Sequence, residues 1–133
     1  AVRYTPLAGL HILVADDNPF NADIMKDLLD LKGATCEIAS TGQEAVDLFT
    51  SSACGHFDAI LMDIRMPDMD GYEATKRIRH SKHPDHASIM IIATTANAFA
   101  DDVKTTLASG MNAHLSKPVD LDTLCALLQS MQL

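Results

Sequence analysis

Four groups able to handle phosphate stand at matching places in the chain: Asp16 and Asp17, Asp63, and Lys117, each just past a short apolar run that ends as a β-strand would end. Parallel strands laid side by side would bring all four to one edge of a sheet. Carboxylates gathered this way repel one another. The repulsion is relieved by a hard cation such as Mg²⁺, by the lysine ammonium, or by one acid keeping its proton. Taken singly, the groups have plainer uses. An acidic pair before a helix serves as a cap and complements the helix dipole, and a lysine at a strand end is ordinarily solvated. Asp63 is harder to assign that way, because a carboxylate closing an apolar strand has no helix to cap and must find water, a cation or a basic partner. Lys117 at the same edge supplies one, and that coincidence favours a functional reading.

The elements that must position these groups are legible in the apolar periodicity. His11 to Ala15 reads as a strand, ending at Asp16-Asp17-Asn18-Pro19, where Asn18 can cap a helix whose first residue is Pro19. Ile24, Leu28, Leu29 and Leu31 recur at helical spacing until Gly33, and Thr35 to Ala39 is a second strand. A helix over 43 to 51 offers Ala45, Val46 and Phe49 to a core, with Thr41 as its cap. After Gly55, Phe57 to Met62 forms a third strand leading to Asp63, and a helix from Tyr72 to about His80 follows a Pro- and Gly-containing loop. Ile89 to Ala93 is almost uninterruptedly apolar, as expected of a central parallel strand covered on both faces. A helix over 98 to 108, a short strand from Ala113 to Ser116 and a last helix from Leu121 to Met131 complete five βα repeats. Strict alternation means a parallel sheet, right-handed crossovers and helices on both faces. In such sheets ligands bind beyond the carboxyl ends of the strands, which is where the acids, Thr94-Thr95 and Lys117 fall.

The whole chain of 133 residues is long enough for one core, and 47% hydrophobic content argues for a globular domain. The opening through residue 9 is punctuated by Pro and Gly and reads as linker, with the domain running from 10 to 133; the start without Met points to a piece of a larger polypeptide. A net charge of −8 without a Lys/Arg stripe disfavours nucleic acid and anionic lipid, and no apolar run reaches the ~20 residues of a membrane span. Cys36, Cys54 and Cys125 are odd in number and lack CxxC spacing, which points to reduced thiols and a cytoplasmic setting.

Asp63-Ile64-Arg65-Met66-Pro67-Asp68-Met69-Asp70-Gly71 is the most specific string in the chain. With Asp16-Asp17, Thr95-Ala96 and Lys117-Pro118 it resembles, in order and spacing, a response-regulator receiver domain of two-component signalling, over residues 11 to 133. Thr95-Ala96-Asn97-Ala98, Gly110-Met111-Asn112 and Leu115-Ser116-Lys117-Pro118 are most similar to receivers fused to hybrid sensor histidine kinases. The resemblance implies a flavodoxin-like (βα)5 three-layer sandwich whose parallel sheet has strand order 2-1-3-4-5. It implies that Asp63 accepts a phosphoryl group and that Mg²⁺ is held by Asp17 directly, by Asp16 largely through water, by Asp63 and by the backbone carbonyl of Arg65. Thr95 would be the switch hydroxyl and Lys117 the phosphoryl partner. The switch aromatic of the family, three residues before the lysine, is His114 here, a departure from the pattern. Arg65 and Asn97 would tune phosphoryl lifetime through water access.

The chemistry of these groups agrees with those roles. A carboxylate attacks phosphorus only where charge on the phosphoryl oxygens is neutralised, and the product is an acyl phosphate. The new charge on Asp63 makes the loop after the fourth strand the expected moving part. A phosphatase with an aspartate nucleophile would place a second acid two residues on, where this chain has Arg65, so no turnover of outside substrates is expected beyond self-phosphorylation and self-dephosphorylation. A flavodoxin-like cofactor binder would need Ser, Thr and Gly where Asp16-Asp17 stands. A phosphorylation-independent docking module would tolerate loss of the acceptor or the lysine, and both are present. The expected partners are a histidine kinase core or a histidine phosphotransfer domain docking near the first helix and the site loops, with a weak homodimer also allowed and output through residues 98 to 131. His80, His83 and His86 read as exposed loop residues rather than metal ligands, and Met62, Met66, Met69, Met90 and Met111 as packing.

Overall fold

In the computed structural model, residues 7–96 and 103–130 are described, and their strands and helices alternate as the periodicity requires. The order is β1 (His11–Ala15), α1 (Pro19–Leu31), β2 (Thr35–Ala39), α2 (Gly42–Thr50), β3 (Ala59–Asp63), α3 (Gly71–Arg79), β4 (Met90–Thr95), α4 (Val103–Ala108), β5 (Ala113–Ser116) and α5 (Leu121–Ser130). All pairings are parallel, in the order β2-β1-β3-β4-β5. The strand order reverses between β1 and β3, the switch point at which a doubly wound sheet opens a crevice.

Alternation along the strands builds two cores. Leu13, Ile60, Met62, Ile91 and Ala93 face Phe49 of α2 and Ala74 and Ile78 of α3. Ile12, Val14, Leu61, Met90 and Ile92 face Leu29 of α1 and Leu124 and Leu128 of α5. Every residue of β3 and β4 is buried, so the strands that end at Asp63 and Thr95 run through the middle of the molecule.

Local chemistry sets the helix starts. Asn18 accepts from the amides of Phe20 and Asn21 with Pro19 in the first turn. Thr41 accepts from Glu44 N–H, and Asp70 accepts from Glu73 N–H. These caps satisfy amides that the helix itself leaves unpaired.

Three features depart from the sequence reading. Leu7, assigned to the linker, is fully buried in the α1–α5 core and its N–H donates to Lys32 O at 2.9 Å, so the chain joins the domain before residue 9. The buried stripe of α1 is centred on Ala22 and Leu29, leaving Ile24 and Leu31 44% and 56% exposed; small Ala22 lets the helix approach the sheet on that side. His83 is buried against the Phe49 ring at 4.4 Å rather than exposed. Its Nδ1 accepts from Asp85 N–H at 3.0 Å and its Nε2 lies 2.9 Å from Ser52 O, so both ring nitrogens are used. The helix expected over 98 to 108 is described only from residue 103.

Candidate functional site: an acidic cluster at the carboxyl ends of the strands

Parallel strands of matched register deliver the polar groups to one edge. Asp16 follows β1, Asp63 closes β3 in register with Thr94 of β4, and Lys117 follows β5, its N–H donating to Thr95 O at 2.7 Å. Lys117 Nζ lies 3.0 Å from Asp16 Oδ2 and 3.2 Å from Asp63 Oδ2. The other oxygens meet backbone amides, Asn18 N–H donating to Asp16 Oδ1 at 2.9 Å and Arg65 N–H to Asp63 Oδ1 at 3.3 Å. Asp16 and Asp63 are buried and Asp17 is exposed, yet all three offer oxygens within 4.8 Å of one another.

The loop that follows Asp63 is held from both sides. Gly71 N–H donates to Ile64 O at 2.9 Å, closing the segment, and Asp68 turns it at φ 68°, a left-handed conformation that Asp tolerates better than most residues. A Cβ on Gly71 would stand 2.5 Å from Asp63 O and 2.9 Å from Ile64 Cα. The absence of a side chain is therefore what lets α3 start directly beneath the acid.

One ammonium shared between two carboxylates does not compensate both. Burial holds the Asp63 carboxyl above its usual range in spite of the charge and hydrogen bond of Lys117, and neighbouring Asp16 adds to the rise. Burial pulls the Lys117 ammonium the other way, but its bonds to Asp16 and Asp63 and their charges prevail and leave it raised. The edge thus carries excess negative charge over hard oxygen donors, which suits a divalent cation that takes oxygen ligands. Beside Asp16 a cavity of about 170 Å³ opens between α1 and Lys117-Pro118-Val119, lined also by Val14, Leu61 and Thr94.

The other expected site residues are distributed around this centre. Thr95 is fully buried at the end of β4. Arg65, two residues beyond the acid, is exposed. His114 sits on β5 opposite Ala93, half-buried, and its enclosed Nε2 has no hydrogen-bond partner among the described residues. Asn97 lies outside the described residues. His83 and His86 hold backbone carbonyls rather than converging on a common point.

Sequence reasoning missed two arrangements. Arg79 donates to Gly110 O, His86 O, Ile89 O and Asn112 Oδ1, tying α3 to the loops that precede β4 and β5. His11, Glu37 and His56 converge at the amino ends of the strands. Their sequence separations carry no motif, and only the placement of β1 between β2 and β3 could have exposed the second cluster.

Comparison with known proteins agrees with this geometry. The family described as response regulator receiver domain matches residues 12–129. The sensor histidine kinase RcsC of Escherichia coli is 40% identical over 113 residues, covering 85% of this chain and 11% of that protein. The chain therefore spans only a small part of the curated relatives it matches. The receiver domain of sensor histidine kinase PA1611 from Pseudomonas aeruginosa, solved with magnesium coordinated in its active site cleft, is 37% identical with a TM-score of 0.82, covering 93% of this chain and 98% of that one. The co-crystal structure of the Saccharomyces cerevisiae phosphotransfer protein Ypd1 and the Ssk1 receiver domain matches at 30% identity and TM-score 0.76, covering 92% and 90%. With the 2-1-3-4-5 sheet, the acids at its carboxyl edge and the lysine between them, this chain belongs to the response regulator receiver domain family of two-component signalling.

Proposed function

We propose that Asp63 accepts a phosphoryl group from a phosphohistidine and that the resulting acyl phosphate switches or relays a two-component signal. The observation that carries this reading is a buried carboxylate at a strand end, 3.2 Å from an ammonium that it shares with a second acid. In the transfer, an Asp63 oxygen bonds to phosphorus as the P–N bond of the donor breaks. The donor imidazole leaves with the electron pair. Lys117, now beside Asp63 Oδ2, is placed to pair with a phosphoryl oxygen. Held by Asp16, Asp17, Asp63 and the Arg65 carbonyl, Mg²⁺ would neutralise charge on the phosphoryl oxygens. Attack of water on phosphorus later returns the free carboxylate, with Arg65 and Asn97 governing its access.

The doubly charged group makes new hydrogen-bond demands that Thr95 meets by drawing the segment after β4 inward. His114 on the neighbouring strand takes the place of an aromatic gate, and the signal leaves through residues 98 to 131. The donor is a histidine kinase core or a histidine phosphotransfer domain. Phe20 and Ile24, 72% and 44% exposed and one turn apart on α1 close to Asp17, supply an apolar patch for its docking. The parent protein is a hybrid histidine kinase with this domain on its cytoplasmic side; no helix among the described residues is long and apolar enough to cross a membrane.

Intact-protein mass spectrometry after incubation with acetyl phosphate tests the reading. One acid- and base-labile phosphate per chain is expected, dependent on Mg²⁺ and absent from Asp63→Asn. A folded wild-type chain that stays unmodified with both acetyl phosphate and a phosphohistidine protein would leave only a docking module.

A further inference from the structure

The amino ends of the same strands hold a second convergence of side chains. His11 opens β1 opposite Thr35 of β2, Glu37 lies two residues further along β2, and His56 precedes β3. The Nε2 atoms of both histidines meet one oxygen of Glu37, at 2.6 and 2.7 Å. The rings are held by packing as well. His11 stacks on Phe57 with centroids 5.3 Å apart, and His56 sets its edge against His11 at 4.7 Å and Phe57 at 4.6 Å. The Nδ1 of His11 is engaged by Thr35 Oγ1 at 2.7 Å, so Nε2 is the nitrogen left to face the cluster. A hydrogen bond on the far ring nitrogen is the arrangement that orients a metal-ligating imidazole.

We propose that His11, Glu37 and His56 form a second cation site, separate from the acidic cluster and selective for a borderline transition ion such as Zn²⁺. One oxygen and two imidazole nitrogens, all within 4.8 Å of one another, are a ligand set that zinc accepts, with water completing the tetrahedron. Tetrahedral ligation at zinc bond lengths sets ligand atoms roughly 3.3 Å apart, so the two contacts would open by about 0.6 Å. Glu37, 39% exposed, has room for that movement. The protons shared between the ring nitrogens and Glu37 pass to solvent as the ion binds. Mg²⁺, which prefers oxygen ligands and retains its water, has little claim on this site. Bound ion would clip β1, β2 and the segment before β3 together and stabilise the fold by mass action.

Calorimetric titration of Zn²⁺ into the whole chain, with excess Mg²⁺ present, tests this. One ion per chain is expected. Binding should weaken at least tenfold in His56→Ala and in Glu37→Gln, weaken about tenfold in Thr35→Val, and persist in Asp63→Asn and Cys54→Ser. His56 is 44% exposed, so its variant should keep the wild-type circular dichroism spectrum. Titration with Co²⁺, whose visible absorption reports coordination, should give a tetrahedral band in the wild type that His56→Ala loses. No saturable zinc binding, binding unchanged in both His56→Ala and Glu37→Gln, or binding abolished by Cys54→Ser would overturn the proposal.

Discussion

The two ends of the sheet handle carboxylates in opposite ways. At the carboxyl edge, Asp16 and Asp63 are buried and share one ammonium, and burial raises the proton affinity of Asp63 although Lys117 is within 3.2 Å. At the amino edge, Glu37 is 39% exposed, receives hydrogen bonds from His11 and His56, and is held below the ordinary carboxylate range by them. Burial decides the first case and partners decide the second. The carboxyl edge is consequently a place of unmet electrostatic demand, whereas the amino edge satisfies itself through its own side chains. A site under such demand stores work for a ligand to release.

Asp63→Asn breaks the contrast most completely. Phosphate uptake should vanish by intact mass, and the thermal midpoint at neutral pH should rise. A carboxyl whose folded value is raised stabilises the fold below its unfolded value of 3.8 and loses that contribution as pH climbs through the folded value. The gain from Asp63→Asn should therefore be present at neutral pH and disappear below pH 3.8. Thermal scans across that range in Mg²⁺-free buffer check it.

Lys117→Ala attacks the same edge from the other side by leaving two buried acids with no ammonium. A loss of about 2–3 kcal/mol at neutral pH is expected in urea unfolding, toward the low end for broken buried pairs because Lys117 keeps some solvent contact. Part of the loss should return as pH falls and the acids protonate. In the wild type, the raised Lys117 contributes stability that is complete below pH 10.5 and is lost as pH rises through its higher folded value.

Gly71→Ala leaves the charges alone and disturbs only the backbone beneath them. The added Cβ would meet Asp63 O at 2.5 Å and Ile64 Cα at 2.9 Å, neither of which can swing aside as a side chain could. A cost of about 1–3 kcal/mol follows from overpacking, read as a lower urea midpoint together with slower phosphate uptake. Glu37→Gln should show the smallest effect, no more than about 1 kcal/mol, because its hydrogen bonds to the two histidines are partly solvated. Glu37 stabilises the fold above its unfolded value of 4.5 and loses that contribution as pH falls through its lowered folded value, so wild type and variant should converge at low pH. Phosphate uptake by Glu37→Gln should match the wild type.

The carboxyl edge was legible in the sequence because strand ends are. An apolar run that stops at Asp63, and a short strand from Ala113 to Ser116 that stops just before Lys117, place those groups on one edge as soon as the strands are parallel. Asn18-Pro19, Thr41 and the alternation of elements likewise act within a few residues and survive without tertiary context. What could not be read depends on contacts made across the fold. Leu7 looked like linker because its burial depends on Lys32 O and the α1–α5 core, far along the chain. His83 looked exposed because the Phe49 ring that covers it lies on α2. The convergence of His11, Glu37 and His56 required the register of β1 against β2, which no local pattern encodes.

The most direct measurement is chemical identification of the phosphorylated residue. Borohydride reduces an acyl phosphate and leaves homoserine where the acidic residue stood, so peptide mass spectrometry after phosphorylation with Mg²⁺ reads the acceptor directly. Homoserine at position 63 alone is the expected result. Homoserine at position 16 or 17, or an unmodified Asp63 in folded protein exposed to acetyl phosphate and to a phosphohistidine donor, would contradict the account.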